Sequence, residues 1–221
     1  MSITLILEVL KAGIPETLYM TLVSTLAAYL LGLPLGIILA VTDSKGIRPM
    51  KGVNIILGAI INILRSIPFL ILMVLILPFT RAIVGTIIGS TATIVPLVIA
   101  AAPFVARIVE SSLNEVDAGI IEAAQSMGTS TFKIVWKVLL PEARPSLITG
   151  ATIAVTTILG YSAMAGIVGG GGLGAIAINY GYYQFDTVSM LIPVFFLVVI
   201  VQLFQEIGMW IMKRSDKRIR G

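Results

Sequence analysis

The chain has 221 residues, 57% of them hydrophobic and only 12% charged, with a formal net charge of +4 and a mean hydropathy of +1.05. Soluble domains carry roughly 45–50% apolar and about 25% charged residues, so a water-soluble domain is excluded and an all-α polytopic membrane protein is predicted. Cysteine and histidine are both absent. That excludes disulfides and thiolate-based metal sites and removes the commonest general base near neutral pH; no metal site and no catalytic residue are expected.

A membrane span needs about 20 mostly apolar residues, and five such stretches follow one another, at about 18–41, 53–77, 90–109, 146–168 and 188–212. Before the first, Ile3, Ile6, Leu7 and Leu10 recur at helical spacing, and Pro15 is expected to end that piece. It is either an interfacial helix or a continuation of the first span. The first span is expected to be retained, because it exceeds the ~7–15-residue apolar core of a signal peptide and no basic segment precedes it. Within it, Gly32 and Gly36 form a small-xxx-small pair that permits close helix approach, with a contact between two copies as one reading.

The connecting segments sort by charge. Lys45, Arg48 and Lys51 follow the first span, and Arg107, Lys133, Lys137 and Arg144 follow the third. Lys213, Arg214, Lys217, Arg218 and Arg220 fill the tail, whereas the opposite side holds only Lys11 and Arg81. Basic residues accumulate on the cytoplasmic side, so the N-terminus is expected outside and the C-terminus inside. The positive balance is therefore read as membrane topology, and no nucleic-acid partner is expected. The chain reads as one transmembrane domain over 1–221, without linker or internal repeat.

Arg65 is the basic residue left inside a predicted span. Intramembrane charge is costly and usually faces a bundle interior or a watery cavity. Two readings stay open: pairing with backbone carbonyls or snorkelling, or lining a path through the membrane, with Pro68 loosening the helix just beyond.

The inside segment at about 110–144 is too charged for hydrocarbon, yet it is patterned. Val116, Ile120, Ile121, Ala124 and Met127 have helical spacing, and Asp117 is placed to cap that helix. Gly128 suits a left-handed stop. Thr129, Ser130 and Thr131 then offer a new start for a helix over Phe132–Leu140, and Pro141 and Pro145 suit the entry to the next span. A short helix, a glycine corner and a returning helix make a knob that a partner's groove could grip.

Glu122-Ala123-Ala124, then Gly128, then Val138, Leu140 and Pro141 resemble the EAA loop of ABC importer permeases, with valine at 138 where isoleucine is more usual. The resemblance implies that Glu122, Ala123, Ala124, Gly128, Leu140 and Pro141 couple the chain to a separate ATPase. Three further stretches, Arg65-Ser66-Ile67-Pro68-Phe69, the run Ser162–Gly174 and Asn179-Tyr180-Gly181-Tyr182, resemble methionine importer permeases. That implies a type I importer fold, a homodimer, two ATPase subunits, an external methionine-binding lipoprotein and a bacterial cytoplasmic membrane. The substrate implied is methionine, in both stereoisomers. Another amino acid, a small sulfur compound or, in a different class, a secondary transporter are the alternatives. Arg65, Ser66, Pro68, Tyr161, Ser162 and Met164 are the candidates for the translocation path.

Gly169, Gly171 and Gly174 formally spell G-x-G-x-x-G, but the run follows a membrane helix rather than a strand and is no nucleotide fingerprint. Gly169, Gly170, Gly171 and Gly172 are read either as a flexible or tightly turning external loop or as part of the entrance beneath a docked binding protein. In the second reading, valine at Gly171 or Gly172 impairs uptake and leaves assembly intact. No G-x-x-x-x-G-K-[ST] occurs. The chain is expected to hold no cofactor, with ATP and magnesium bound by the ATPase, and to be no enzyme itself.

Overall fold

The structure, a computed structural model, describes residues 3–216. The side chains of Ile3, Ile6 and Leu7 and the basic residues Lys217, Arg218 and Arg220 lie outside the described residues. In chain order the helices are α1 (Ile3–Thr42), α2 (Lys51–Ser66), α3 (Phe69–Leu75), α4 (Leu77–Val84), α5 (Ser90–Asn114) and α6 (Ala118–Ser126). Then come α7 (Thr131–Ile134), α8 (Leu140–Glu142), α9 (Arg144–Ala165), α10 (Gly172–Ile176) and α11 (Thr187–Ser215). No strand interrupts them among the described residues.

Four helical stretches are long and apolar enough to cross a membrane: Glu8–Thr42, Ser90–Asn114, Arg144–Val168 and Thr187–Ser215. The pair Lys51–Ser66 and Phe69–Leu75 makes a fifth if it counts as one broken span. The five predicted stretches thus correspond to helices, with three differences. Helix α1 continues through Pro15, where a stop was expected. Tertiary packing overrides the local breaker there: Leu10 is buried in a cluster with Leu159, Leu173, Ile176 and Ile200, and in membrane helices neighbours compensate for proline. The second span is broken because Pro68 is extended (φ −57°, ψ 136°) and proline disfavours the helical region in the residue before it. A short unpredicted helix, α4, follows, closed by Gly85 at φ +83°.

The chain divides into two compact units, each built from three separate segments. The first comprises Met1–Ala28, Ile67–Ala101 and Ala154–Gln205. Its core is the Leu10 cluster, against which Val9, Ile14, Phe196 and Phe204 pack. The second comprises Tyr29–Ser66, Ala102–Ile153 and Glu206–Gly221. Its core is built on Leu39, Ile61 and Ala106.

Small residues set the spacing inside the second unit. A Cβ on Gly32 would stand 2.7 Å from the carbonyl oxygen of Ala102, and one on Gly36 would stand 2.5 Å from that of Ala106. The Gly32/Gly36 face is therefore covered by α5 of the same chain, not left open for a second copy. This corrects the dimer reading of that pair. Glycine lets two membrane helices approach to backbone contact, where dispersion replaces the absent hydrophobic drive.

Candidate functional site

In the second unit, α6 is built as its residues predict. Asp117 is the N-cap, its Oδ1 accepting from the backbone N–H of Gly119 at 2.7 Å. At the other end Gly128 is left-handed (φ +71°). The N–H of Gly128 donates to the Gln125 carbonyl at 2.9 Å, and that of Thr129 to the Ala124 carbonyl at 3.2 Å. This pair of bonds is a Schellman closure, which satisfies carbonyls that the helix end would orphan. The corner is thus fixed in direction.

Helix α7 starts at Thr131, and the chain then widens into a π-helical turn over Val135–Leu139 before α8. Pro141 lacks an N–H and its ring crowds the carbonyl four residues back; a wider turn just before it relieves that conflict. Of the EAA-type residues, Glu122, Ala123, Gly128 and Pro141 are exposed, Ala124 is buried and Leu140 is half-buried. The expected single apolar face is split. Val116 and Ala124 turn inward, whereas Ile120 and Met127 face out, Met127 at 78% exposure.

Phe132 and Trp136 were not singled out in the sequence. They are exposed at 72% and 56%, with ring centroids 6.1 Å apart. Their i, i+4 spacing was the available signal. Met127, the C-cap of α6, is likewise exposed. Gln125 Nε2 donates to the Ile47 carbonyl at 3.3 Å, tying α6 to the segment between α1 and α2. A cavity of about 500 Å³ opens at the return of the loop, lined by Glu115, Lys137, Glu142, Arg144 and Asp216 among others.

The other candidates fall in different units and are described separately. In the second unit, Arg65 and Ser66 end α2 and are exposed. A cation there complements the negative end of the helix dipole. The Ser66 hydroxyl donates to the Asn62 carbonyl at 2.8 Å. Arg107, read from sequence as part of the inside segment, lies within α5, in the apolar stretch Ser90–Asn114.

In the first unit, Pro68 begins the segment into α3, and the ring of Phe69 stacks on Tyr161 with centroids 4.6 Å apart and planes at 5°. Ser162 is buried and its hydroxyl donates to the Leu159 carbonyl at 2.7 Å. Met164 is 46% exposed.

The glycine run belongs to the first unit and is a packed turn. Gly169 (φ +88°) and Gly172 (φ +78°) are left-handed. The N–H of Gly172 donates to Glu16 Oε2 at 2.7 Å and that of Leu173 to Thr17 Oγ at 2.8 Å. A Cβ on Gly171 would stand 2.5 Å from Glu16 Oε2, and one on Gly172 2.5 Å from Thr17 Oγ. A cavity of about 390 Å³ beside the run is lined by Glu8, Glu16, Asn179 and Tyr180 among others.

The profile of the family described as binding-protein-dependent transport system inner membrane component matches residues 32–221. The chain belongs to this family. A Vibrio cholerae relative, named probable D-methionine transport system permease protein MetI, is 51% identical over 203 residues, covering 92% of this chain and 90% of its own. Methionine import system permease protein MetP of Bacillus subtilis is 47% identical over 82% of each chain. Among solved structures, a chain described under inward facing conformations of the MetNI methionine ABC transporter superposes with a TM-score of 0.95 at 46% identity. The match covers 98% of this chain and 100% of that one. A chain of an amino acid ABC transporter, 23% identical with a TM-score of 0.75, shares the fold. The family and this fold make the chain a type I ABC importer permease and a multi-pass membrane protein.

Proposed function

We propose that this chain is the permease of a methionine importer, that it works as a homodimer, and that two copies of a separate ATPase drive it. The observation that carries this reading is the match over nearly the whole of both chains to a chain of the MetNI methionine transporter. The names of the Vibrio and Bacillus relatives point to the same substrate. Hydrolysis of ATP, with its magnesium, belongs to the ATPase, and this chain is not an enzyme. An external methionine-binding protein delivers either stereoisomer to the outer mouth, in keeping with the family's description. The setting is a bacterial cytoplasmic membrane, with the N-terminus outside and the C-terminus inside.

The knob of Glu122, Ala123, Ala124, Gly128, Leu140 and Pro141 is the coupling element. Its fixed corner makes a rigid lever, the exposed side chains of Met127, Phe132 and Trp136 supply apolar area, and Glu122 supplies orientation. A drive of this kind requires that the ATPase bind the two states of the permease differently. Arg65, Ser66, Pro68, Tyr161, Ser162 and Met164 border the path. Arg65 and Met164 offer exposed side chains to substrate, and Ser162 serves by holding its helix. Met164 and Tyr161 match the chemistry of an apolar thioether side chain. Gly169, Gly170, Gly171 and Gly172 shape the outer mouth through their backbone. Helix α11, only 17% buried along its apolar stretch, meets lipid.

The test is uptake by the complex reconstituted in proteoliposomes with ATPase and binding protein. ATP-dependent accumulation of labelled L- and D-methionine is expected. ATP hydrolysis without methionine accumulation would point to another amino acid or sulfur compound. Accumulation driven by an ion gradient without ATP would point to a secondary transporter.

A further inference from the structure

Arg107 has no part in the reading above, yet its side chain bonds to three partners on two helices. Its Nη1 donates to Glu110 Oε2 at 2.7 Å. Its Nη2 donates to the Gly58 carbonyl at 3.1 Å and to Asn62 Oδ1 at 2.8 Å. The side chains of Arg107 and Glu110 are 25% and 13% exposed, and the Arg107 Nε is buried without a hydrogen-bond partner. A guanidinium withdrawn from water is tolerated when paired and hydrogen-bonded. Glu110, on the same helix, would meet the charge requirement alone. The two bonds to α2 need another explanation. Gly58 is shaped for them, since a Cβ there would stand 3.3 Å from Arg107 Nη2 and glycine leaves its carbonyl open.

The connections on either side of this network suggest what it does. Helix α5 leads through Glu115–Asp117 directly into α6, the element read above as the drive point. Near its start, α2 is fastened to α1 by Asn54, whose Nδ2 donates to the Leu39 carbonyl at 2.9 Å and to Thr42 Oγ at 3.3 Å. Further along, Arg107 fastens it to α5. At its far end stand Arg65 and Ser66. Contact between apolar helix faces in a membrane rests on van der Waals packing, which fixes direction less sharply than a hydrogen bond does. Charge-assisted hydrogen bonds have fixed geometry and resist sliding.

We infer that Arg107 is a positioning residue that clamps α2 to α5 in register, so that displacement of α6 moves the Arg65 end of α2 rather than dissipating as slip between the two helices. This rests on the coupling reading of α6.

The experiment uses the full reconstituted complex and reads ATP hydrolysis and methionine uptake in the same vesicles, with thermal stability of the complex as a third measure. Asn62→Leu removes one acceptor on α2 and leaves the Arg107–Glu110 pair, and hence its folding role, in place. Arg107→Met removes the clamp, and Arg107→Lys restores the charge without the fork. Asn62→Leu and Arg107→Met are expected to hydrolyse ATP while methionine moved per ATP falls about tenfold, the size of one charge-assisted hydrogen bond. Arg107→Lys is expected to recover part of that loss. Unchanged methionine per ATP in Asn62→Leu overturns the clamp, and so does a parallel fall of hydrolysis, uptake and stability. If Arg107→Met does not assemble, Asn62→Leu decides. Failure of the coupling reading itself looks different: ATPase then binds and drives uptake regardless of Glu122.

Discussion

The backbone N–H of Thr129 donates to the carbonyl of Ala124 at 3.2 Å, and this bond ends α6 inside the Glu122–Gly128 stretch. Its companion from Gly128 depends on a backbone at φ +71°, and a Cβ at Gly128 would meet nothing within 4 Å. Side-chain space is therefore not the issue; conformation is. Gly128→Val is expected to destabilise the corner by about 1–2 kcal/mol, the cost of the left-handed region for an ordinary residue. Gly128→Asn is expected to be tolerated. Co-purification of the ATPase with each variant measures this, and equal recovery with valine and asparagine would contradict it.

Asp117→Ala removes the N-cap bond to Gly119 and is expected to cost about 1 kcal/mol of local helix stability. Hydrogen exchange should quicken at the first turn of α6 and stay unchanged in α9. Uniform protection across the loop would mean that packing, not the cap, holds the helix.

The Gly32/Gly36 face is in backbone contact with α5. Gly36→Leu is therefore expected to destabilise the single chain, by about 1–3 kcal/mol or more as for other overpacked sites. Reduced melting temperature of the solubilised chain is the readout. A variant of normal stability that no longer pairs would instead place this face between two copies.

Valine at Gly172 is expected to lower the yield of folded protein, because Thr17 occupies the space and Gly172 is left-handed. Loss of uptake in this variant then reports folding rather than entry. Size-exclusion profiles alongside uptake separate the two, and a well-folded Gly172→Val chain would refute the packing argument.

Asp186 precedes α11 and accepts from the Ser189 hydroxyl at 2.7 Å, with the N–H groups of Ser189 and Val188 at 3.3 and 3.1 Å. The Ser189 hydroxyl, and then its N–H, hold this carboxyl down at about 2, from an ordinary 3.8. A depressed folded value means that the cap's contribution is full above about 3.8 and is lost as pH falls through about 2. Titration of the labelled carboxyl by NMR is expected to show that midpoint, and Ser189→Ala should raise it.

Much of this was legible in the residues. Five apolar stretches announced the spans, Asp117 and Gly128 announced the ends of α6, and Glu122-Ala123-Ala124 with its downstream pattern announced the family. What was not legible depended on contacts distant in sequence. Pro15 reads locally as a stop, and only the packing of Leu10 against Ile176 and its neighbours explains why the helix continues. Arg107 reads as the first charge of a loop, because nothing nearby in sequence shows that Gly58 and Asn62 await it. The glycine run reads as a flexible or tightly turning loop, and only Glu16 and Thr17, 156 residues away in sequence, make it a packed turn. Exposure on a membrane protein is equally hidden: hydropathy marks Phe132 and Trp136 as apolar but does not reveal that they stand outside.

The central claim is that the α6 knob is where the ATPase drives this permease. The most direct measurement compares the native chain with Glu122→Lys at matched membrane levels, reading ATP-dependent methionine uptake and ATPase co-purification together. Collapse of uptake with loss of the ATPase is the expected result. Native uptake with the ATPase still bound would contradict the claim.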